Sequence, residues 1–213
     1  MKDKVLNVIK NNKRFLVLFI CLAIFIVLLI NVLNGNVAGF DNSVYNAISS
    51  LKSNFMTAFL KGITKFADEE PIILIDIVAL IVIKNRKIGA SIALNLATSA
   101  FFNNIIKEIV QRPRPPMELR MVEESSFSFP SGHAMTGMAF YGLIIYFVFK
   151  NVKDKKVRNT ICTVLSLLIF LVGISRIYLG VHYASDVLAG FAFGIVYLVV
   201  YITFVLKLFK IKE

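Results

Sequence analysis

A run of 19 residues without a charged side chain, Phe15 to Leu33 (FLVLFICLAIFIVLLINVL), constrains this chain more than any other feature. About 20 apolar helical residues cross a bilayer core, whereas a core helix of a water-soluble domain keeps a polar face over that length. The run follows a basic stretch, MKDKVLNVIKNNKR, as a secretory leader would. It is longer than the roughly 7–15 residues of a leader's apolar region, and no small-x-small cleavage site follows directly, so it reads as a retained anchor. Five further apolar segments follow, at Pro71–Ile83, Ile88–Lys107, Gly132–Phe149, Asn159–Ile174 and Ala184–Leu208. The expected fold is therefore all-α, one membrane domain over residues 1–213, arranged as a six-transmembrane-helix bundle. The segment Ser43–Ala67 has mixed apolar spacing and three lysines, and reads as an interfacial helix leading into the second span.

The basic residues orient this bundle. The loops and ends flanking one face, including residues 1–14 and the C-terminal tail, hold 16 Lys and Arg, and the other face holds 8. The positive-inside bias puts the first face and both termini in the cytoplasm of a cell-membrane protein, and the second face outside. The formal net charge of +11 is thereby accounted for by membrane lipid headgroups and topology rather than by nucleic acid. Cys21 and Cys162 lie inside apolar runs and read as packing residues, with neither a disulfide framework nor metal-ligand spacing.

Three stretches of the outer face carry chemistry. In KEIVQRPRP, Lys107 to Pro115, the prolines stop the third span, and Lys107 and Arg114 are placed to converge. Snorkelling charges are common at helix ends, but an outer-face pair argues for function. In FPSGHA, Phe129 to Ala134, Ser131 and Gly132 stand where the first free N–H groups of the fourth span point outward, an arrangement that attracts phosphate, with His133 beside it. A plain serine cap with an interfacial histidine explains that stretch alone equally well. In SRIYLGVHYASD, Ser175 to Asp186, Arg176 ends the fifth span and Gly180 breaks the chain. If His182 and Asp186 are helical, their i, i+4 spacing puts them on one face. Asp186 then holds one imidazole nitrogen and leaves the other free as a nucleophile. His133 sits at the phosphate-binding helix start without such a carboxylate partner and is expected to be the general acid. A histidine–aspartate pair satisfying two interfacial polar groups is the plainer reading. It is weakened because the chain has only two histidines, and both start outer helices.

The motifs Lys-x6-Arg-Pro, Pro-Ser-Gly-His and Ser-Arg-x5-His-x3-Asp, in that order over residues 107–186, resemble those of the type 2 phosphatidic acid phosphatases, membrane lipid phosphatases related to vanadium haloperoxidases. The resemblance implies that His182 is the nucleophile and forms a phosphohistidine, that Asp186 orients it, and that His133 is the general acid. It implies that Lys107, Arg114, Ser131, Gly132 and Arg176 bind phosphate. It implies no cofactor and no metal, and the motifs contain no carboxylate cluster suited to Mg2+. The expected substrate is a lipid phosphate or pyrophosphate, with undecaprenyl pyrophosphate first, then phosphatidylglycerol phosphate and phosphatidic acid. The rival readings are a vanadate-dependent haloperoxidase and a non-catalytic protein that binds or transports lipid phosphates.

Three other features are weighed more plainly. Asp76 lies inside the second span, where a carboxylate is a functional candidate, but a hydrogen bond to Asn95, Asn103 or Asn104 is the expected role. Gly190 and Gly194 in GFAFG are expected to pack against another span of the same chain. The polar stretch 118–129 connects, and is placed to gate the site.

Overall fold

A computed structural model describes residues 13–208. The expected cytoplasmic ends, residues 1–12 and 209–213, lie outside the described residues. Among these residues eight principal helices follow one another: α1 (Lys13–Leu33), α2 (Ala38–Ser49), α3 (Asn54–Thr64), α4 (Glu69–Val82), α5 (Arg86–Val110), α6 (Gly132–Asn151), α7 (Lys155–Tyr178) and α8 (Ala184–Val200). The last continues through a wider turn, Tyr201–Val205, to Leu208. Among the described residues there is no strand.

Among the described residues, four helices are long and apolar enough to cross a membrane: α1, α6, α7 and α8 carried to Leu208. In α1 only Phe25 is buried, against Phe129 and Phe193, with Leu28, Leu29 and Val32 half-buried beside it, and most of its other large apolar side chains are exposed, as lipid contact requires. The two remaining expected spans differ from this pattern. Helix α4 has 14 residues, about 21 Å at 1.5 Å per residue, short of a ~30 Å core. Helix α5 has 25 residues, but Asn95, Asn103 and Lys107 are buried within the protein. Its polar face is turned inward. The expected interfacial helix is two helices, α2 and α3. The break falls at Ser50–Ser53, where Ser53 Oγ accepts from the Met56 N–H at 3.1 Å and so caps α3.

Helix α6 lies at the centre, against α5, α7 and α8, while α1 packs on α8, α3 on α7, and α4 on α5. Gly190 and Gly194 explain the closeness of α8 to α6. A Cβ at Gly190 would fall 2.7 Å from the Ser131 carbonyl oxygen, and one at Gly194 2.9 Å from that of Met135. The glycine pair thus packs within the chain, as expected. The same approach lets Ser131 N–H donate to the Asp186 carbonyl at 3.0 Å, joining the starts of α6 and α8.

Candidate active site

The starts of α6 and α8 and the ends of α5 and α7 meet at one end of the bundle. The turn from α7 to α8 is tight: Gly180 has φ +69°, and a Cβ there would lie 2.1 Å from the Leu119 carbonyl oxygen, so only glycine fits. The turn holds His182 before the helix starts, its N–H donating to the Arg176 carbonyl at 3.2 Å. His182 and Asp186 are therefore not one turn apart on a helix face, as the spacing suggested. Asp186 sits in the first turn of α8 and reaches back, accepting from the Tyr183 N–H through Oδ2 at 2.9 Å.

His182 is 2% exposed and Asp186 wholly buried. Nδ1 of His182 lies 3.6 Å from Asp186 Oδ2 and 3.4 Å from Ser128 Oγ, and Ser128 donates to the same carboxylate oxygen at 2.5 Å. Nε2 faces the other way, 3.1 Å from Arg114 Nη1. An arginine only donates, so Nε2 carries the lone pair and Nδ1 the hydrogen. Burial above all, and then Arg114, Arg176, Lys107 and His133, push the His182 imidazole well below its usual value. It is a neutral imidazole with its basic nitrogen turned towards cations.

Those cations are the ones expected. Lys107 Nζ donates to Ser126 Oγ at 2.8 Å, and Arg114 donates to the same hydroxyl at 3.1 Å, so the two do converge. Burial first, and Arg176 among its neighbours, lower the Arg114 guanidinium below its usual value. Arg176 donates to Thr64 Oγ1 at 2.9 Å and ion-pairs with Glu124. Glu124 also pairs with Arg114 at 3.3 Å. One carboxylate thus bridges two guanidinium groups, as a phosphate would. Ser131 occupies the cap position of α6, yet its buried Oγ has no hydrogen-bond partner. Gly132 begins α6, and the first N–H groups of a helix have no acceptor within it.

His133 is joined to a carboxylate after all: its Nε2 lies 2.7 Å from Asp68 Oδ1. The expectation that it lacks a carboxylate partner is corrected. That partner comes from 65 residues upstream, in a segment without a signature. Sequence reasoning also missed Arg112, which donates to Asp186 Oδ1 at 2.5 Å and to Asp41 Oδ2 at 2.7 Å. Asp41 is 2% exposed and also accepts from the Ser185 N–H at 2.8 Å. The doubled Arg-Pro of QRPRP was the available signal for Arg112; nothing marked Asp41, Asp68 or Ser128.

A cavity of about 620 Å3 is lined at one end by Lys107, Arg114, Gly132, His133 and His182. It continues between α4 and α5, past Ile72, Ile73, Ala93, Leu96 and Ala97. Asp76 lines it as well, with Oδ1 lacking a partner. Of the asparagines expected to bond it, Asn95, Asn103 and Asn104, Asn103 instead donates to the Pro130 carbonyl and to Met135 Sδ, both at 3.4 Å, and the buried side-chain amide of Asn95 has no partner. Among the described residues no three His, Cys, Asp or Glu side chains group as metal ligands.

Residues 88–210 match the PAP2 superfamily. The chain is 35% identical over 162 residues to phosphatidylglycerophosphatase B of Bacillus subtilis (strain 168), covering 73% of this chain and 78% of that one. It is 30% identical over 189 residues to an undecaprenyl-diphosphatase of Sulfolobus acidocaldarius, covering 84% of each. The crystal structure of a transmembrane PAP2-type phosphatidylglycerolphosphate phosphatase from Bacillus subtilis matches with a TM-score of 0.81 and 28% identity, over 92% of this chain and 98% of that one.

Proposed function

Since the chain belongs to the PAP2 superfamily and is a membrane lipid phosphatase, we propose that it hydrolyses a terminal lipid phosphate through a phosphohistidine on His182, at the extracytoplasmic face. The observation that carries this reading is one continuous cavity. One end joins two histidines to Lys107 and Arg114, and the rest runs between α4 and α5, mostly along apolar side chains, with Glu69 and Asp76 also on its wall. A phosphate group fits the first part and a lipid tail the second.

In the proposed reaction the lipid phosphate displaces Glu124 from Arg114 and Arg176. Its non-bridging oxygens take up Lys107, Arg114, Arg176, Ser131 Oγ and the free N–H groups of α6, which stabilise the charge of the transition state. His182 Nε2 attacks phosphorus as the bond to the lipid oxygen breaks, and His133 gives that oxygen a proton. Asp186, oriented by Arg112 and Ser128, stabilises the positive charge that develops on His182. Water then attacks the phosphohistidine, His133 takes its proton, and phosphate leaves with His182 restored. No metal enters this route.

The extracytoplasmic assignment is supported by the basic loops. Residues 84–87 and 150–158 lie at the helix ends away from the site, and positive charge marks the cytoplasmic side. The six-span arrangement remains part of the proposal, with α4 and α5 as the two polar or short spans that flank the cavity.

For substrate, the names of the relatives support both of the lipids ranked first from sequence, phosphatidylglycerol phosphate and undecaprenyl pyrophosphate. We take phosphatidylglycerol phosphate as the first reading, a choice supported by the 35% identical relative and the structure at TM-score 0.81. Undecaprenyl pyrophosphate is the second reading, on the relative matched over 84% of both chains. The test is phosphate release by purified protein from a panel of lipid phosphates, in EDTA, with His182→Ala as the blank. Release from phosphatidylglycerol phosphate above the other lipids is expected. Activity that needs added Mg2+, or that survives in His182→Ala, would overturn the reading.

A further inference from the structure

Asp68 is the cap residue of α4, yet its side chain makes no capping bond to that helix. Aspartate at this position ordinarily accepts from the N–H groups of the next turn. Here the carboxylate is turned to His133, with Oδ1 2.7 Å from Nε2. The bond from His133 is the main cause that holds the Asp68 carboxyl below its usual range.

The backbone that presents Asp68 is fixed from two sides. Tyr141, on α6, donates to the Phe66 carbonyl at 2.5 Å. Thr64 accepts from Arg176 at 2.9 Å. The short turn Lys65–Ala67 is thus held against the helix that carries His133 and against the arginine that ends α7. Asp68 is 42% exposed at its side chain and His133 only 16%, so the carboxylate closes the outer side of the imidazole.

We infer that Asp68 is a positioning residue for proton transfer, holding Nε2–H of His133 so that Nδ1 exchanges the proton with the lipid oxygen and with water. This rests on the phosphatase reading above. Before the first step His133 carries hydrogens on both nitrogens. As the P–O bond to the lipid breaks and the P–N bond to His182 forms, the Nδ1 proton passes to the lipid oxygen. His133 is then neutral, with its hydrogen on Nε2 and a lone pair on Nδ1. When water attacks phosphorus and the P–N bond breaks, that lone pair takes the water proton. Asp68 stays ionised and accepts from Nε2–H throughout, so the proton cannot move to the wrong nitrogen between the steps.

The other charges facing His133 are Arg176 at the end of α7 and Glu124 on the α5–α6 connection. Lys107 and Arg114 line the same cavity, as do Glu69 and His182, and Lys65 faces Asp68. Burial above all, and Arg176 after it, lower the His133 imidazole below its usual value, and the bond to Asp68 opposes that shift. Glu124 is bound to Arg114 and Arg176, so Asp68 is the anion bonded to the ring itself.

With only two histidines in the chain, His182→Ala leaves His133 as the single imidazole, and 15N NMR of the labelled protein in detergent micelles reads its tautomer and titration directly. The neutral ring is expected to carry hydrogen on Nε2. Adding Asp68→Asn should lower its titration midpoint by about one pH unit or more, the usual effect of a bonded opposite charge. A neutral Nδ1–H ring, or a midpoint unchanged by Asp68→Asn, would overturn the inference.

The kinetic arm uses an otherwise unaltered chain. Asp68→Asn should slow an alkyl phosphate roughly 10–100-fold, part of what a general acid supplies, and move the alkaline limb of kcat to lower pH. A p-nitrophenyl phosphate, whose leaving group needs no proton, should be far less affected, and Asp68→Glu should recover part of the loss. In His133→Ala the same substitution should add nothing further. Equal losses on both substrates without a shifted limb would reduce Asp68 to a structural residue and overturn the proposal. If the NMR result holds while the unaltered protein hydrolyses no lipid phosphate, the phosphatase reading fails and the His133–Asp68 pairing stands.

Discussion

Arg112→Ala should both destabilise and inactivate the protein, by separable routes. The guanidinium lies between two carboxylates, at 2.7 Å from Asp41 and 2.5 Å from Asp186, which are 1% and 0% exposed at the side chain, with Arg112 itself 12% exposed. Removing one partner of a buried ion pair costs about 3–5 kcal/mol, because a charge is left uncompensated. The slight exposure of Arg112 admits some screening and favours the lower half of that range. The stacking of Arg112 over Tyr183, 4.1 Å from the ring centroid, is lost as well. Asp186 would then take up a proton or turn away, and His182 would lose the group that fixes its Nδ1–H. The assay is a thermal melt in detergent alongside phosphate release from phosphatidylglycerol phosphate. Asp41→Asn added to Arg112→Ala should restore much of the melting temperature, since it removes one unpaired charge. It should restore little activity, since Asp186 remains unsupported. An Arg112→Ala protein with unchanged melting temperature and turnover would refute this account, and so would a double variant in which both recover together.

Glu124→Gln frees Arg114 and Arg176 from their shared carboxylate, so vanadate should inhibit about 3–10-fold more strongly, equivalent to ~0.7–1.4 kcal/mol for a partly exposed pair; unchanged inhibition would show that the carboxylate does not occupy the phosphate seat. Because burial and its neighbouring cations push the His182 imidazole well below its usual value, the base form persists as pH falls through the ordinary imidazole range near 6.5. The acid limb of kcat/KM should lie below that range, and a limb at or above it that disappears with a change at Arg114 would contradict the assignment. A cysteine placed at exposed Glu123, with Cys21 and Cys162 removed, should react with an impermeant thiol reagent on intact cells; labelling only after lysis would reverse the topology.

The parts of the site legible in the sequence are those whose chemistry is local. Helix ends, the proline stop after Lys107, the Ser131–Gly132 start of α6 and the glycine turn before His182 all announce themselves within a few residues. The contacts that complete the site are not local. Asp68 reaches His133 across 65 residues, and Asp41 reaches Ser185 across 144. No periodicity records such pairings; they exist only once α2 and α3 pack against the bundle. The same blindness affected His182, whose four-residue spacing from Asp186 suggested a helical pair. Gly180 and the Leu119 carbonyl instead fix a turn, and the carboxylate reaches back from the first helical turn. The spans were legible where one helix is apolar on all sides, as in α1. They were least legible in α4 and α5, where the protein turns polar groups towards its own cavity.

The central claim is a covalent phosphoenzyme on His182. Lipid substrate bearing 32P at its terminal phosphate, mixed rapidly with the protein and quenched in alkali, where phosphohistidine survives, should leave label on the chain, and peptide mapping should place it on His182. His133→Ala should retain that label, and His182→Ala should show none. Label on His133, or full turnover with no label on either histidine, would contradict the account.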